Sequence, residues 1–305
     1  MAQSPLRIGT RGSRLARAQA DMVARALAAR AIACEIVPIR TSGDRIRDRL
    51  LADAGGKGLF TKELEEALFG GTIDIAVHSM KDVPAVLPAG LAIGAVLPRE
   101  DPSDVLIGAA SLLSLPVGAR VGTSSVRRRA QLLRARRDAR CVLLRGNVDT
   151  RLAKLDAGAA DAVVLALAGL KRLGLARRAG HVLSTDEWLP SLGQGAVGIE
   201  IRTRDARAAR AVAPLDEPAA SIALACERAF QAALDGSCRT PIAGLAVVAQ
   251  RTLAFRGEVI APDGRDFAAT EFTIALGAHA REEAAQAGRE AGRALRPRAG
   301  RWLAP

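Results

Sequence analysis

Arg120-Val-Gly-Thr-Ser-Ser-Val-Arg-Arg-Arg-Ala-Gln-Leu-Leu-Arg-Ala-Arg136 decides how this chain is read. Arg120-Val-Gly122 has the character of a strand, Gly122-Thr-Ser-Ser125 of a turn, and Ser125 to Arg136 of a helix that a hydroxyl can cap. Working outward, the alternation repeats. Downstream lie a strand from Cys141 to Leu144, a helix from Val148 to Leu155 and a buried strand from Ala162 to Leu167. Upstream, Leu6-Arg-Ile-Gly9 is a strand and Arg14 to Ala29 a helix, with Leu15, Ala18, Met22, Val23 and Ala26 as its apolar stripe. Glu35 to Ile39, Ile73 to Val77 and Leu91 to Leu97 are further strands, and Thr61 to Phe69 is a helix closed by Gly70-Gly71. Such alternation implies parallel sheets with helices on both faces. The pattern restarts near residue 100, so two α/β lobes are expected.

The tail breaks the pattern. A long helix is expected from Glu217 to Leu234, then a loop from Ile242 to Val248, two strands around the turn Pro262-Asp-Gly264, and a helix from about His279 to Leu295. This predicts a third, smaller α+β unit. The length of 305 residues allows for two or three domains.

Composition excludes several classes. With 49% hydrophobic and 25% charged residues the chain can bury real cores. The longest apolar run, Ala162 to Leu170, is too short for a bilayer. The first ten residues lack a basic stretch followed by an apolar one, and four scattered cysteines form no CxxC pair or disulfide framework. A reduced, cytoplasmic setting without membrane contact is expected.

The formal charge is +12, and only five of 44 basic residues are lysine. Eleven basic residues against Asp138 and Asp149 put +9 between Arg120 and Lys154. Nucleic acid is not expected to be the partner. There is no tyrosine, the six phenylalanines are scattered, and a single-strand binder needs aromatic platforms beside its arginines. A small polyanion fits better.

Ligands of open α/β sheets sit beyond the strand C-termini, so the turns after Gly9, Val77, Gly122, Leu144 and Leu167 should converge. Arg127 and Arg128 lie in a first helical turn, where the dipole opposes them, and need an intervening anion. Arg134, Arg136 and Arg137 read as a solvated face. Leu144-Arg-Gly-Asn-Val-Asp-Thr-Arg151 and Thr10-Arg-Gly-Ser13 repeat the cationic turn, and Gly55-Gly-Lys-Gly58 carries one of the rare lysines but lacks phosphate-loop spacing. Val77-His-Ser-Met-Lys-Asp-Val-Pro84 holds the most chemistry. Ionised, Asp82 would accept N–H donors and stabilise a developing cation; for an isolated aspartate, a cap or an arginine bridge is the stronger reading. His78 reads as hydrogen-bonded structure, and three histidines support neither a triad nor a metal site, so no metal is expected. Burial explains Cys226, whereas Cys238 stands in the polar Leu234-Asp-Gly-Ser-Cys-Arg-Thr-Pro241 beside Arg239, a setting that favours a nucleophilic thiolate.

These stretches, together with Ala168-Gly-Leu-Lys-Arg172 and Gly193-Gln-Gly-Ala-Val-Gly-Ile-Glu200, resemble the porphobilinogen deaminase (hydroxymethylbilane synthase) family, in the family's order along the chain. The resemblance implies two lobes like those of periplasmic binding proteins, with mixed, mainly parallel sheets, plus a C-terminal α+β domain. Lobe 1 would span 1–97 and a returning segment 196–213, lobe 2 would span 101–192, and the third domain 217–305. It implies a dipyrromethane cofactor, thioether-linked to Cys238, and Asp82 as the catalytic carboxylate. Lys81, Ser125, Arg127, Arg128, Arg145 and Arg151 would hold that cofactor. Arg11, Ser13, Lys57, Arg172 and Gln194 would hold the substrate, porphobilinogen. A monomer is expected. The competing reading is a two-lobed anion-binding protein without chemistry.

Overall fold

The computed structural model describes residues 4–45, 58–234 and 240–303. The first lobe contains β1 (Leu6–Arg11), α1 (Arg14–Ala28), β2 (Cys34–Ile39), α2 (Ser42–Arg45), α3 (Lys62–Phe69), β3 (Ile75–Ser79) and β4 (Leu91–Val96). The second contains β5 (Asp104–Ile107), β6 (Arg120–Gly122), α4 (Val126–Ala135), β7 (Arg140–Val142), α5 (Val148–Asp156), β8 (Ala162–Ala166), α6 (Leu167–Arg172) and β9 (His181–Val182). The chain then returns through β10 (Val197–Arg202) and α7 (Ala206–Val212). It ends in α8 (Pro218–Ala233), β11 (Ile242–Ala249), β12 (Thr252–Ile260), β13 (Phe267–Ala275) and α9 (Ala280–Ala299).

Local chemistry starts the helices where a cap is available. Ser13 Oγ accepts from Ala16 N at 3.2 Å, Ser125 Oγ from Arg128 N at 3.4 Å, and Asn147 Oδ1 from Thr150 N at 2.8 Å. In α8 the Glu217 carboxylate caps and Pro218 opens the first turn. Val23 and Leu27 of α1 are sealed against Leu6, Ile8 and Ile75 of the sheet. Of the expected stripe only Val23 is fully buried, because the inward face runs through Ala16, Gln19, Ala20, Val23 and Leu27, one position round the helix from Leu15, Ala18, Met22 and Ala26.

The two large sheets follow one plan. Their strand orders are β2-β1-β3-β10-β4 and β7-β6-β8-β5-β9. The first lobe's opening strand pairs parallel on both sides, as does β6 in the second. The fourth strand of each sheet, β10 or β5, is antiparallel to both neighbours. Both odd strands follow a crossing between lobes, so the sheets are mixed because the chain passes over and comes back. The crossings run side by side: Leu97 N donates to Val197 O at 3.0 Å and Glu100 N to Gly195 O at 3.2 Å.

In the third unit, β11-β12-β13 form an antiparallel sheet against which α8 and α9 pack. Ile242 to Val248, expected as a loop, is strand β11, paired residue by residue with β12. Its first five residues are buried, with Leu189 packed against Ala243 and Leu245, so no polar/apolar alternation announces the strand. A smaller shift matters more for the site. The strand expected from Ile73 to Val77 runs from Ile75 to Ser79, which places His78 inside it.

Candidate active site

The Asp82 turn follows β3 directly. Met80, Lys81 and Asp82 form one 3-10 turn, ended by Val83 in extended backbone before Pro84. Buried Met80 anchors it, with its N–H donating to Ala196 O at 3.1 Å. Two glycines of the return segment make room. A Cβ on Gly193, at φ +72°, would lie 2.9 Å from the Met80 carbonyl carbon, and one on Gly198 would lie 2.1 Å from Met80 Sδ. Asp82 is half-buried, and its carboxylate has no hydrogen-bond partner among the described residues. It does feel Lys81 and Arg151, whose positive charges it favours.

Lys81 Nζ donates to Gln194 Oε1 at 3.2 Å. Burial, then the neighbouring Arg128, lowers the Lys81 ammonium to about 8, against the pull of Asp82 and Asp104. Gln194, itself buried, passes the contact on: its Nε2 donates to Pro102 O at 2.6 Å and Asp104 Oδ1 at 2.8 Å.

Asp104, missed in the sequence, sits at the centre of this network. At 0% exposure it accepts from Arg127 Nη2 (2.8 Å), Arg128 Nε (3.1 Å) and Nη2 (2.8 Å), Gln194, and Trp188 Nε1 (2.9 Å). Burial alone would raise its carboxyl, but Arg127 and Arg128 hold it far below the usual carboxylate range. Asp104 is therefore an internal counter-ion to both of the paired arginines. Arg127 also donates to Gln131 and Leu189 O, and Arg128 Nη1 donates to Val164 O. The one sequence signal was an aspartate heading the apolar run Asp104-Val-Leu-Ile107.

The solvated face expected at Arg134, Arg136 and Arg137 needs correction. Arg134 forms a two-pronged pair with Glu258 of β12, at 2.7 and 3.2 Å, docking α4 on the third unit. Arg136 binds Leu112 O and Leu115 O at 2.6 and 3.0 Å and pairs with Asp138 at 2.8 Å. Only Arg137 of the three is exposed. A planar fork reaches several acceptors at once, which helical periodicity does not reveal.

Other cations are placed differently. Both Nη atoms of Arg145, Arg151 Nε and Arg172 Nε are buried without an acceptor among the described residues. Arg151 Nη2 donates to Ser124 Oγ at 3.1 Å, and burial, then Arg128, lowers its guanidinium to about 10. Arg172 Nη2 donates to Gly195 O at 2.5 Å, and burial lowers its pKa. A buried N–H without an acceptor costs about 1–3 kcal/mol, so these four nitrogens call for an anionic ligand. A dipyrromethane, whose two pyrroles carry several carboxylates, answers that call. The Arg11 guanidinium lies 4.1 Å above the Phe60 ring, and Ser13 caps α1. Lys57 and Cys238 lie outside the described residues. Of the other cysteines, Cys226 is sealed and its thiol pushed up by burial, as are the half-buried Cys34 and Cys141. His78 Nε2 meets Glu200 Oε2 at 2.9 Å in the core, a structural pair.

The repeated sheet plan places the chain among two-lobed α/β proteins, with buried guanidinium nitrogens left open to an anion. Residues 6–210 match the family model "Porphobilinogen deaminase, dipyromethane cofactor binding domain", and residues 221–296 match "Porphobilinogen deaminase, C-terminal domain". The chain belongs to the porphobilinogen deaminase family. It is 53% identical over 299 residues to a porphobilinogen deaminase of Nitrobacter winogradskyi, covering 96% of this chain and 93% of that protein. To that of Nitrobacter hamburgensis it is 54% identical, with the same coverage. Among solved structures it is similar to the periplasmic aliphatic sulphonate binding protein SsuA from Escherichia coli, at 19% identity and a TM-score of 0.42, covering 77% of this chain and 71% of that one. Among the described residues no helix is long and apolar enough to cross a membrane.

Proposed function

We propose that this chain joins porphobilinogen molecules head to tail with release of ammonia, giving the linear tetrapyrrole hydroxymethylbilane. The observation that carries the reading is a carboxylate without a hydrogen-bond partner among the described residues, Asp82, beside cations whose buried N–H groups have no acceptor among those residues. Cys238 is proposed to carry the dipyrromethane, with Lys81, Ser125, Arg127, Arg128, Arg145 and Arg151 holding its carboxylates. When bound, that group supplies a nucleophilic pyrrole carbon. Arg11, Ser13, Lys57 and Arg172 are proposed to hold the incoming substrate. Gln194, its amide committed to Lys81, Pro102 and Asp104, acts as a positioning residue.

Each residue then has a physical task. A guanidinium carries five N–H donors; Arg128 commits three nitrogens to Asp104 and Val164 O, which fixes its plane while leaving hydrogens for a ligand. Loss of ammonia from the substrate's aminomethyl group builds positive charge on the pyrrole nitrogen. Asp82 accepts that N–H and lowers the barrier electrostatically, because its oxygens are not already committed to protein donors. The same carboxylate stabilises the charge when the excess pyrrole proton leaves.

The units are proposed to run 1–97 with 196–213, 101–192 and 217–305, the division into which the three sheets fall. A monomer in the reducing cytoplasm is the proposed working state. The alternative, an anion-binding protein without chemistry, uses the same arginines, and Asp82 separates the two. With preassembled cofactor supplied and its attachment confirmed by mass, Asp82→Asn should slow single-turnover ammonia release by about a hundredfold or more. Substrate affinity should fall much less. Near-normal release would remove Asp82 from the mechanism.

A further inference from the structure

A cavity of about 490 Å³ lies between the segment that leaves the Asp82 turn and helices α8 and α9. Its walls include Leu87 and Ile93 of the first lobe, Leu224 and Arg228 of α8, and Arg281 and Arg289 of α9. Among the described residues no acidic side chain lines it. Arg289 bonds only to Gln286, and neither it nor Arg281 pairs with a carboxylate among the described residues. Three guanidiniums thus stand over an apolar floor with no carboxylate bonded to any of them among the described residues, an arrangement that favours an anion. The volume falls in the range of small-molecule sites.

Arg228 connects this cavity to the catalytic turn. Its Nη2 donates to Pro84 O at 2.8 Å and Ala85 O at 3.0 Å, two and three residues beyond Asp82. Its Nη1 is buried without an acceptor among the described residues. Glu200 favours its charge, but burial outweighs that and lowers the guanidinium to about 10. A ligand anion that draws on Arg228 competes with the two carbonyls that fix the exit of the turn.

We propose that this cavity is a second ligand site, separate from the catalytic cleft, for a small organic anion with a compact apolar body. Its acidic group would sit among Arg228, Arg281 and Arg289, and its body against Leu87, Ile93 and Leu224. Occupancy acts on turnover through the hold of Arg228 on Pro84 and Ala85, since a ligand that binds one arrangement of the turn better shifts its population.

The probe is 8-anilinonaphthalene-1-sulfonate, an apolar anion of suitable size, added to the cofactor-bearing protein. Its fluorescence should rise saturably with one site per chain, and excess porphobilinogen should not displace it. In the double variant Arg281→Ala with Arg289→Ala the affinity should fall about tenfold or more, while turnover without probe stays unchanged. At saturating porphobilinogen, saturating probe should change turnover of the unsubstituted protein by about twofold or more, and leave the double variant unaffected. No saturable signal, equal affinity in the double variant, or displacement by substrate would overturn the site. Binding without any change in turnover would overturn its coupling to the catalytic turn.

Discussion

Replacing Asp104 with asparagine tests whether the two buried arginines are held by an internal counter-ion. Oδ2 accepts from Arg127 Nη2, Arg128 Nε and Trp188 Nε1, while Oδ1 accepts from Arg128 Nη2 and Gln194 Nε2. Whichever way an amide is turned, its NH2 faces at least two donors that then lack an acceptor. At about 1.5–3 kcal/mol for each bond to a charged group, two losses come to about 3–6 kcal/mol. The figure of about 3–5 kcal/mol for breaking a buried ion pair agrees. Trp188 reports directly, since its indole bonds to Asp104. Urea unfolding followed by Trp188 fluorescence, in a Trp302→Phe background, should show the midpoint moving by the equivalent of about 3 kcal/mol or more. The sign with pH follows from the lowered carboxyl of Asp104. Its stabilisation is complete above the unfolded-state value of about 4 and is lost progressively as pH falls from there through the much lower folded value. The variant should therefore differ most from the unsubstituted protein at neutral pH and keep most of that deficit at pH 4. A shift below about 1 kcal/mol at neutral pH would refute the counter-ion argument.

Lys81, lowered to about 8, should react with an amine-directed reagent along a pH curve centred near 8, read by peptide mass mapping. Because its folded value lies below that of an ordinary lysine, about 10.4, its linkage term stabilises the fold increasingly between pH 8 and 10.4, and Lys81→Met should remove that rise. Gly193→Ala forces a Cβ to within 2.9 Å of the Met80 carbonyl carbon at φ +72°; a strain of about 1–3 kcal/mol should appear as lost turnover, and full activity would show that the turn does not depend on this close approach. Cys238→Ala should give a folded chain whose intact mass carries no covalent pyrrole, whereas Cys226→Ala should retain it.

Much of the site's raw material is legible because its determinants are local. A hydroxyl at a strand-to-helix turn caps the next helix, so Ser125 announces α4 to within a residue; the Asn147 cap of α5 emerges only in the structure. The Val77 to Pro84 block likewise depends only on residue order and leads to the Asp82 turn, whereas the +9 window includes arginines that Asp104, Asp161 and Glu258 pair with from outside it. Ile242 to Val248 was not legible, since a strand buried along its first five residues loses the alternation that identifies strands.

What the tertiary structure alone decided is which charges meet. Asp104 lies 23 and 24 residues before Arg127 and Arg128, on a strand running antiparallel to both its neighbours because the chain has just crossed between lobes. Arg134 finds Glu258 across 124 residues, and Gly193 lies over the Asp82 turn because the return segment is folded back beside β3. Sequence fixes how many charges there are and which local element carries each. Whether a given arginine is neutralised within the fold or left with buried N–H groups for a ligand depends on long-range packing, because Coulombic and hydrogen-bond energies depend on distance in space and not on separation along the chain.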